Sequence, residues 1–443
     1  MRYLKELWTL VFCALSCFLC QAGVSAPAVA REAPDRFLRV PAFFITDRNL
    51  QLTKSGDVDF GPHRKYVGEC KHDPFMGSAY CVVENVDKKE LSNHLKDLGW
   101  TKADAKDKLG DFKATLLKAD DFEKIQTQFY GQVHEEALLT DDKNLLLFAH
   151  GYKNTFAHAL STASRLAYNA ERPLILYSWP SVAKLRSYTS DENNVEWSQE
   201  HFNEVLTHLE KLCKEDPTVK VRLFAHSMGT RLAVRATPLL TEKSYLIEAA
   251  LICPDVDDGL VKHYARRYLS LKGTVEIRLY MSRRDKALAI SQLLHGGYTR
   301  LGEQADAIGG WVTKTMAGQN SKTDEQTTKA ADAEFADRLA KTKKRMQTID
   351  FTDLDTGLIG HNVPAKLICS MSFTGAPGAG LELIPEDSGQ RSKISNMFTR
   401  LAKLRGGDDA ANDQTIVGTV LRVMKDDAHN GARGLKVASQ AHQ

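Results

Sequence analysis

Val219-Lys-Val-Arg-Leu-Phe-Ala-His-Ser-Met-Gly-Thr-Arg-Leu-Ala233 reads as a strand, a sharp turn and a helix. Val219, Val221, Leu223 and Phe224 are the β-branched and bulky residues of a buried strand. Residues 230–236 have helix-permissive composition, and Pro238 stops that helix soon after. Between the two sits Ala225-His-Ser-Met-Gly229, a Gly-x-Ser-x-Gly nucleophile elbow with alanine in the first glycine position. Small residues are needed there because the serine takes a strained backbone conformation and its neighbours pack closely. The helix beyond Ser227 points its unpaired N–H groups at the serine. The same five residues also compose ordinary turns, so the rest of the chain has to decide.

Upstream, Asn144-Leu-Leu-Leu-Phe-Ala149 is a continuous apolar run, as expected of a parallel strand buried on both faces. His150-Gly-Tyr-Lys-Asn154 follows it directly. A helix then carries Phe156, Ala159, Leu160, Ala163, Leu166 and Ala167 on one face. Residues 174–179 form the next buried strand. Asp191 or Ser190 can cap a helix with Phe202, Val205, Leu206, Leu209 and Leu212 on one face. Downstream of the elbow, strands are expected at 247–253, 275–281 and 346–351, leading to Asp255, Asp285 and His361. Strands alternating with helices mean right-handed crossovers and a mostly parallel sheet flanked by helices, an α/β architecture.

The flanks are less regular. Residues 37–45 and 79–83 read as strands, Phe60-Gly-Pro62 as a turn, and 85–140 as charged, amphipathic helical patches. The chain therefore divides into an N-terminal extension packed on the core (31–140), an α/β core (141–370) and a tail of low order (371–443). A polar helical insertion at 305–345, a candidate cap, interrupts the core.

A serine hydroxyl needs a base within hydrogen-bond reach and a third group to orient that base. Ser227 comes first, Asp285 follows a strong strand, and His361 follows the last one. Asp255 is the alternative acid, one strand earlier; Asp257 and Asp258 read as a solvated turn or a pocket lining. His295 is the runner-up base, and His226 reads as structural. An oxyanion hole needs two backbone donors. These are the N–H of Met228 and, through its main chain, Tyr152, with Gly151 allowing close approach and His150 bracing the loop.

Composition is that of an ordinary globular protein, with 43% hydrophobic and 26% charged residues. A net charge of +3 is too near balance to imply nucleic acid. Arg2 and Lys5, an apolar run over 8–19, and small residues up to Ala30 make a signal peptide over 1–30. The run is short for a transmembrane helix, and Ala14-Leu-Ser-Cys17 lacks the leucine expected three residues before a lipidated cysteine. The uncleaved-anchor and lipoprotein readings are therefore the weaker ones. Export makes a Cys70–Cys81 disulfide one option; Cys213, Cys253 and Cys369 read as core thiols.

Several stretches together resemble a family of uncharacterised bacterial α/β-hydrolases, often described as esterase/lipase superfamily enzymes. They are Leu-Phe-Ala-His-Gly-Tyr-Lys-Asn-Thr-Phe156, Tyr-Ser-Trp-Pro-Ser181, Ala-His-Ser-Met-Gly-Thr-Arg231, Pro-Asp-Val-Asp257, Tyr-Met-Ser-Arg-Arg-Asp-Lys-Ala-Leu288, and Ile-Asp350 followed by His361. Residues 43–48 resemble the family's opening strand. The resemblance covers roughly residues 40–370 and implies an α/β-hydrolase fold with Ser227, Asp285 and His361 as the triad. The expected activity is hydrolysis of a small-molecule or lipid carboxylic ester through an acyl-enzyme, with no metal or cofactor. A thioesterase or acyltransferase on the same triad is the alternative. A non-catalytic envelope protein on the same scaffold is the other, since fold alone does not imply activity. The expected location is periplasmic or extracellular, compatible with peripheral association with the envelope.

Overall fold

Phe37–Thr46 forms the first strand, β1, because its apolar residues can be buried on both faces of a sheet. In the computed structural model, residues 36–65, 73–85, 90–184, 187–236, 245–260, 275–283, 285–303, 346–350, 361, 371–373 and 381–383 are described. After β1 come β2 (Arg48–Leu52), β3 (Val58–Arg64), β4 (Phe75–Glu84), a short helix α1 (Asn93–Asp97), β5 (Thr101–Lys102), β6 (Phe112–Leu116) and α2 (Phe122–Leu138). The alternating part follows: β7 (Asn144–Ala149), α3 (Phe156–Ala170), β8 (Leu174–Ser178), α4 (Tyr188–Trp197), α5 (Gln199–Glu215), β9 (Lys220–His226), α6 (Thr230–Ala236), β10 (Leu246–Ile252), β11 (Glu276–Met281), α7 (Lys286–Leu294) and β12 (Met346–Asp350).

Twelve strands form one sheet in the order β12-β11-β10-β9-β7-β8-β1-β4-β6-β3-β2, with β5 paired to β1. From β12 to β1 neighbouring strands are parallel. From β1 outward they are antiparallel. The chain leaves β7 for β8 on one side and returns to β9 on the other. The carboxyl ends of β7 and β9 thus form a topological switch point, where open α/β sheets place their sites. Ala149 pairs with Ala225, so the two ends are level.

Both faces of the sheet are covered. On one, Phe129, Phe202, Leu209 and Leu232 pack against Leu147, Tyr177 and Leu223. On the other, α3 buries Phe156, Ala159, Leu160, Ala163, Leu166 and Ala167, all six of the residues its periodicity assigned to one face. Phe156 meets Phe44 and Phe60 at ring separations of 5.2 and 4.6 Å. Fully burying each large side chain contributes roughly 1.5–3 kcal/mol, so tertiary packing rather than propensity holds α3. Its start is sealed by Thr155, whose side chain accepts from the His158 N–H at 3.1 Å.

Several expectations are corrected. Phe60-Gly61-Pro62 lies inside β3 and is not a turn. A register shift between Arg48 and Leu50 on the partner strand accommodates Pro62, which has no N–H to give the ladder. Neither Ser190 nor Asp191 caps the long helix. The segment breaks at Ser198 into α4 and α5, and Asp191 is buried inside α4. Its carboxylate accepts from Ser181 Oγ at 2.5 Å and the Val182 N–H at 2.7 Å, tying down the loop after β8. Within residues 36–140, β1 to β6 are strands of the same sheet, and α2 packs on its face through Phe129, Tyr130, Val133 and Ala137. The tail contains an antiparallel ribbon of β13 (Met371–Phe373) and β14 (Leu381–Leu383). Cys81 is a buried free thiol, pushed up to about 11 chiefly by burial; Cys70 lies outside the described residues, as do the expected signal peptide and the 305–345 insertion. Among the described residues, no helix is long and apolar enough to cross a membrane.

Candidate active site

β9 ends at His226, and the chain turns at Ser227 through a left-handed φ of 51°. For a residue carrying a Cβ this is a strained position, which persists only where its surroundings over-determine it. A one-turn 3-10 helix, Ser227–Gly229, then leads into α6. The surroundings are visible. Thr230 Oγ1 donates to the Ser227 carbonyl at 2.6 Å, and the Asp255 N–H donates to the same oxygen at 3.3 Å. Gly229 stands against the loop after β7, where an added Cβ would lie under 3.0 Å from the carbonyl oxygens of His150 and Ala149. Gly151 approaches from the other side; a Cβ there would sit 2.8 Å from Ser227 Cβ and His226 Nδ1. Two glycines from two strand ends therefore interlock at the serine. Because backbone oxygens cannot rotate away, Gly229→Ala is expected to lower stability by about 2–3 kcal/mol, read as the urea midpoint at unchanged slope.

Asp285 and His361 reach Ser227 from neighbouring strand ends. Asp285 follows β11 and caps α7, its Oδ1 accepting from the Leu288 N–H at 3.0 Å. Its Oδ2 lies 2.7 Å from His361 Nδ1, and His361 Nε2 lies 2.9 Å from Ser227 Oγ. Ser227 and Asp285 are both buried. Burial alone would depress the His361 imidazole, but the charge and hydrogen bond of Asp285 outweigh it and Asp255 adds to them. The ring is held above its ordinary 6.5. This arrangement can take a proton from the serine and stabilise the cation that results.

The other expected residues sit as follows. The N–H of Met228 belongs to the first turn beyond the elbow, where N–H groups have no partner within the helix. Tyr152 follows Gly151 on the facing loop, its hydroxyl donating to the Lys184 carbonyl at 3.0 Å. His150 is buried and stacked on Trp179 at 4.9 Å. Burial and then the Arg48 charge hold it well below 6.5. It is therefore neutral. Its Nδ1 lies 2.8 Å from the Gly151 carbonyl, and its Nε2 lies 3.1 Å from the Trp179 carbonyl and 3.3 Å from Arg48.

Asp255, the alternative acid, is not bonded to His361. Its carboxylate accepts from Tyr188 Oη and, at 2.6 Å, from Ser291 Oγ, with Arg231 and Arg300 at 3.7 and 3.6 Å. Burial would raise it, but Arg231, these hydrogen bonds and Arg300 hold it below the ordinary carboxylate range. His295 is likewise engaged elsewhere, with Nε2 2.8 Å from Glu192. His226 is driven down to about 3 by burial and then by His361, so it is neutral beside that ring.

Sequence reasoning missed Arg48. It is fully buried, and burial drives it down to about 9 against the attraction of Asp191, Asp59 and Asp47. Its guanidinium donates to Ser178 Oγ and to the carbonyls of Gly61, Ser181 and Asn154, at 2.9, 3.3, 3.1 and 2.7 Å. It thereby ties together the loops after β7 and β8. The available signal was its place directly after a buried strand end. Among the described residues, one group of ligating side chains could hold a metal ion, Cys253 with Asp285 and His361.

Residues 125–332 match the model of a family described as alpha/beta hydrolase of unknown function (DUF900). Among solved structures, the chain is similar to a protein described as a hydrolase of the alpha/beta superfamily from Xanthomonas campestris pv. campestris. That similarity is at 11% identity over 40% of this chain and 98% of the other, with a TM-score of 0.22. A second similarity is to Trichoderma reesei cutinase in complex with a C11Y4 phosphonate inhibitor, at 13% identity over 31% of this chain and 69% of the other, with a TM-score of 0.19. No curated protein matches the chain. The family match and the sheet order bear out the expected α/β-hydrolase fold and the resemblance to hydrolases of unknown function.

Proposed function

From the α/β-hydrolase fold of this chain, we propose that it is a serine hydrolase that cleaves carboxylic esters through an acyl-enzyme. The observation that carries the reading is the unbroken relay from Ser227 Oγ to His361 Nε2 (2.9 Å) and from His361 Nδ1 to Asp285 Oδ2 (2.7 Å). Ser227 Oγ attacks the acyl carbon while His361 takes its proton. Asp285 holds the imidazolium, and the N–H groups of Met228 and Tyr152 receive the oxyanion. His361 then protonates the departing alkoxide. A water molecule, deprotonated by the same ring, releases the acid and restores Ser227. The substrate is a small-molecule or lipid ester. The chain acts outside the cytoplasm, a reading supported by the basic, apolar and small-residue pattern over 1–30.

The test is labelling with a fluorophosphonate, which reacts with an activated serine and needs no knowledge of the natural ester. The expected result is one adduct per chain, mapped by peptide mass spectrometry to Ser227. Folded protein that takes no label, or takes it at another serine, sinks the proposal. Hydrolysis rates for p-nitrophenyl esters of graded chain length then define the acyl preference.

A further inference from the structure

Cys253 stands one residue beyond β10, between the elbow strand and the strand that leads to the acid. Its φ of 44° is left-handed, and its N–H donates to the Tyr280 carbonyl of β11 at 2.8 Å. The side chain is fully buried, and one ligand atom from each of Cys253, Asp285 and His361 lies within 4.8 Å of the others. A thiol, a carboxylate and an imidazole thus converge where the proposed reaction has use only for the last two. Ester hydrolysis by Ser227, His361 and Asp285 assigns Cys253 no role.

We infer that Cys253, His361 and Asp285 form a binding site for a thiophilic divalent cation of the zinc class, and that occupation of this site switches the hydrolase off. The donor set is zinc chemistry, since sulfur and imidazole nitrogen select against magnesium and calcium. The size also fits. Zinc bonds of about 2.0 Å to nitrogen or oxygen and about 2.3 Å to sulfur hold tetrahedral donors roughly 3.3–3.5 Å apart, between the 2.7 Å that separates His361 Nδ1 from Asp285 Oδ2 and the 4.8 Å within which all three donors lie. A fourth position is left for water.

The consequence follows from which ring atom faces the acid. Nδ1 is the nitrogen beside Asp285, so a cation between them takes Nδ1. The one proton of the neutral ring then sits on Nε2. An Nε2–H donates to Ser227 Oγ and can no longer accept its proton. Binding releases the thiol proton to solvent and involves no electron transfer. Loss of activity rests on the hydrolase reading given above; binding does not.

The experiment is equilibrium dialysis of the full chain against Zn2+, with ester hydrolysis followed in parallel and Co2+ as a spectroscopic probe. The wild type is expected to bind one Zn2+ at micromolar or lower concentration and to lose hydrolysis in step, with EDTA restoring it. Mg2+ is expected to have no effect. Cys253→Ser, shown to be folded by circular dichroism, should bind Zn2+ at least about 100-fold more weakly and lose the thiolate-to-cobalt charge-transfer band. Ser227→Ala should bind Zn2+ as the wild type does. Zn2+ binding through Cys253 in a chain that hydrolyses no ester keeps the metal site and removes the hydrolase reading. The site itself is overturned if the wild type takes up no Zn2+ at about 0.1 mM, or if folded Cys253→Ser binds it undiminished.

Discussion

Replacing Ser227 with alanine is expected to lower kcat/KM for an activated ester by about 10^4–10^6-fold while leaving the fold intact. In the proposed mechanism serine, base and acid act as one unit, so removing the nucleophile should cost nearly as much as removing all three. What survives is catalysis by the oxyanion donors and by binding alone. Stability should hardly change, for a reason specific to this position. The strain at Ser227 comes from a left-handed φ of 51° in a residue with a Cβ, and alanine keeps that Cβ. The carbonyl that Thr230 and Asp255 bond belongs to the backbone and is also kept. The check is a pair of measurements on one preparation, p-nitrophenyl ester hydrolysis and the urea midpoint. A variant that keeps a tenth of wild-type activity would show that another residue is the nucleophile.

The elbow was readable from the chain because each part leaves a local mark. Buried parallel strands are continuous apolar runs, and the strained serine requires small neighbours. Asp285 and His361 were readable for a related reason: each follows a strand, in the order the chemistry needs. Arg48 was not readable. An arginine looks like a surface residue until non-local carbonyls from Gly61, Ser181 and Asn154 close around it. The strand Phe112–Leu116 was missed because it alternates buried Ala114 with exposed Lys113 and Thr115 in a charged neighbourhood. It is a strand only because β4 offers it a ladder. The break at Ser198 was hidden because Val195 of α4 and Phe202 of α5 are seven residues apart, about two helical turns, so the apolar face keeps its period across it. Proximity of Cys253 to Asp285 and His361 is likewise a property of the sheet order, since β10 lies beside β11 and β11 beside β12.

Asp285→Asn should separate two functions that reside on the two oxygens of one carboxylate. Oδ1 caps α7 through the Leu288 N–H, and Oδ2 orients His361. Asparagine caps a helix about as well as aspartate, so this variant should stay within a few tenths of a kcal/mol of wild-type stability. Its activity should nonetheless fall by roughly 10^4-fold, because an amide neither stabilises the imidazolium nor enforces the tautomer with its proton on Nδ1. The pH profile gives a second reading. In the proposed mechanism the base is neutral His361, so kcat/KM of the wild type is expected to fall as pH drops through the raised value above 6.5. Without the Asp285 charge the burial of the ring dominates, and the acid limb should move to lower pH even as the plateau collapses. Asp285→Ala provides the contrast. It should lose the same activity and about 1 kcal/mol of stability besides, through the missing cap. Equal stability losses in the two variants would remove Asp285 from the cap. A residual rate within tenfold of wild type in both would return the role of acid to another carboxylate, and Asp255, already bonded to the serine's own carbonyl through its N–H, is the first to examine.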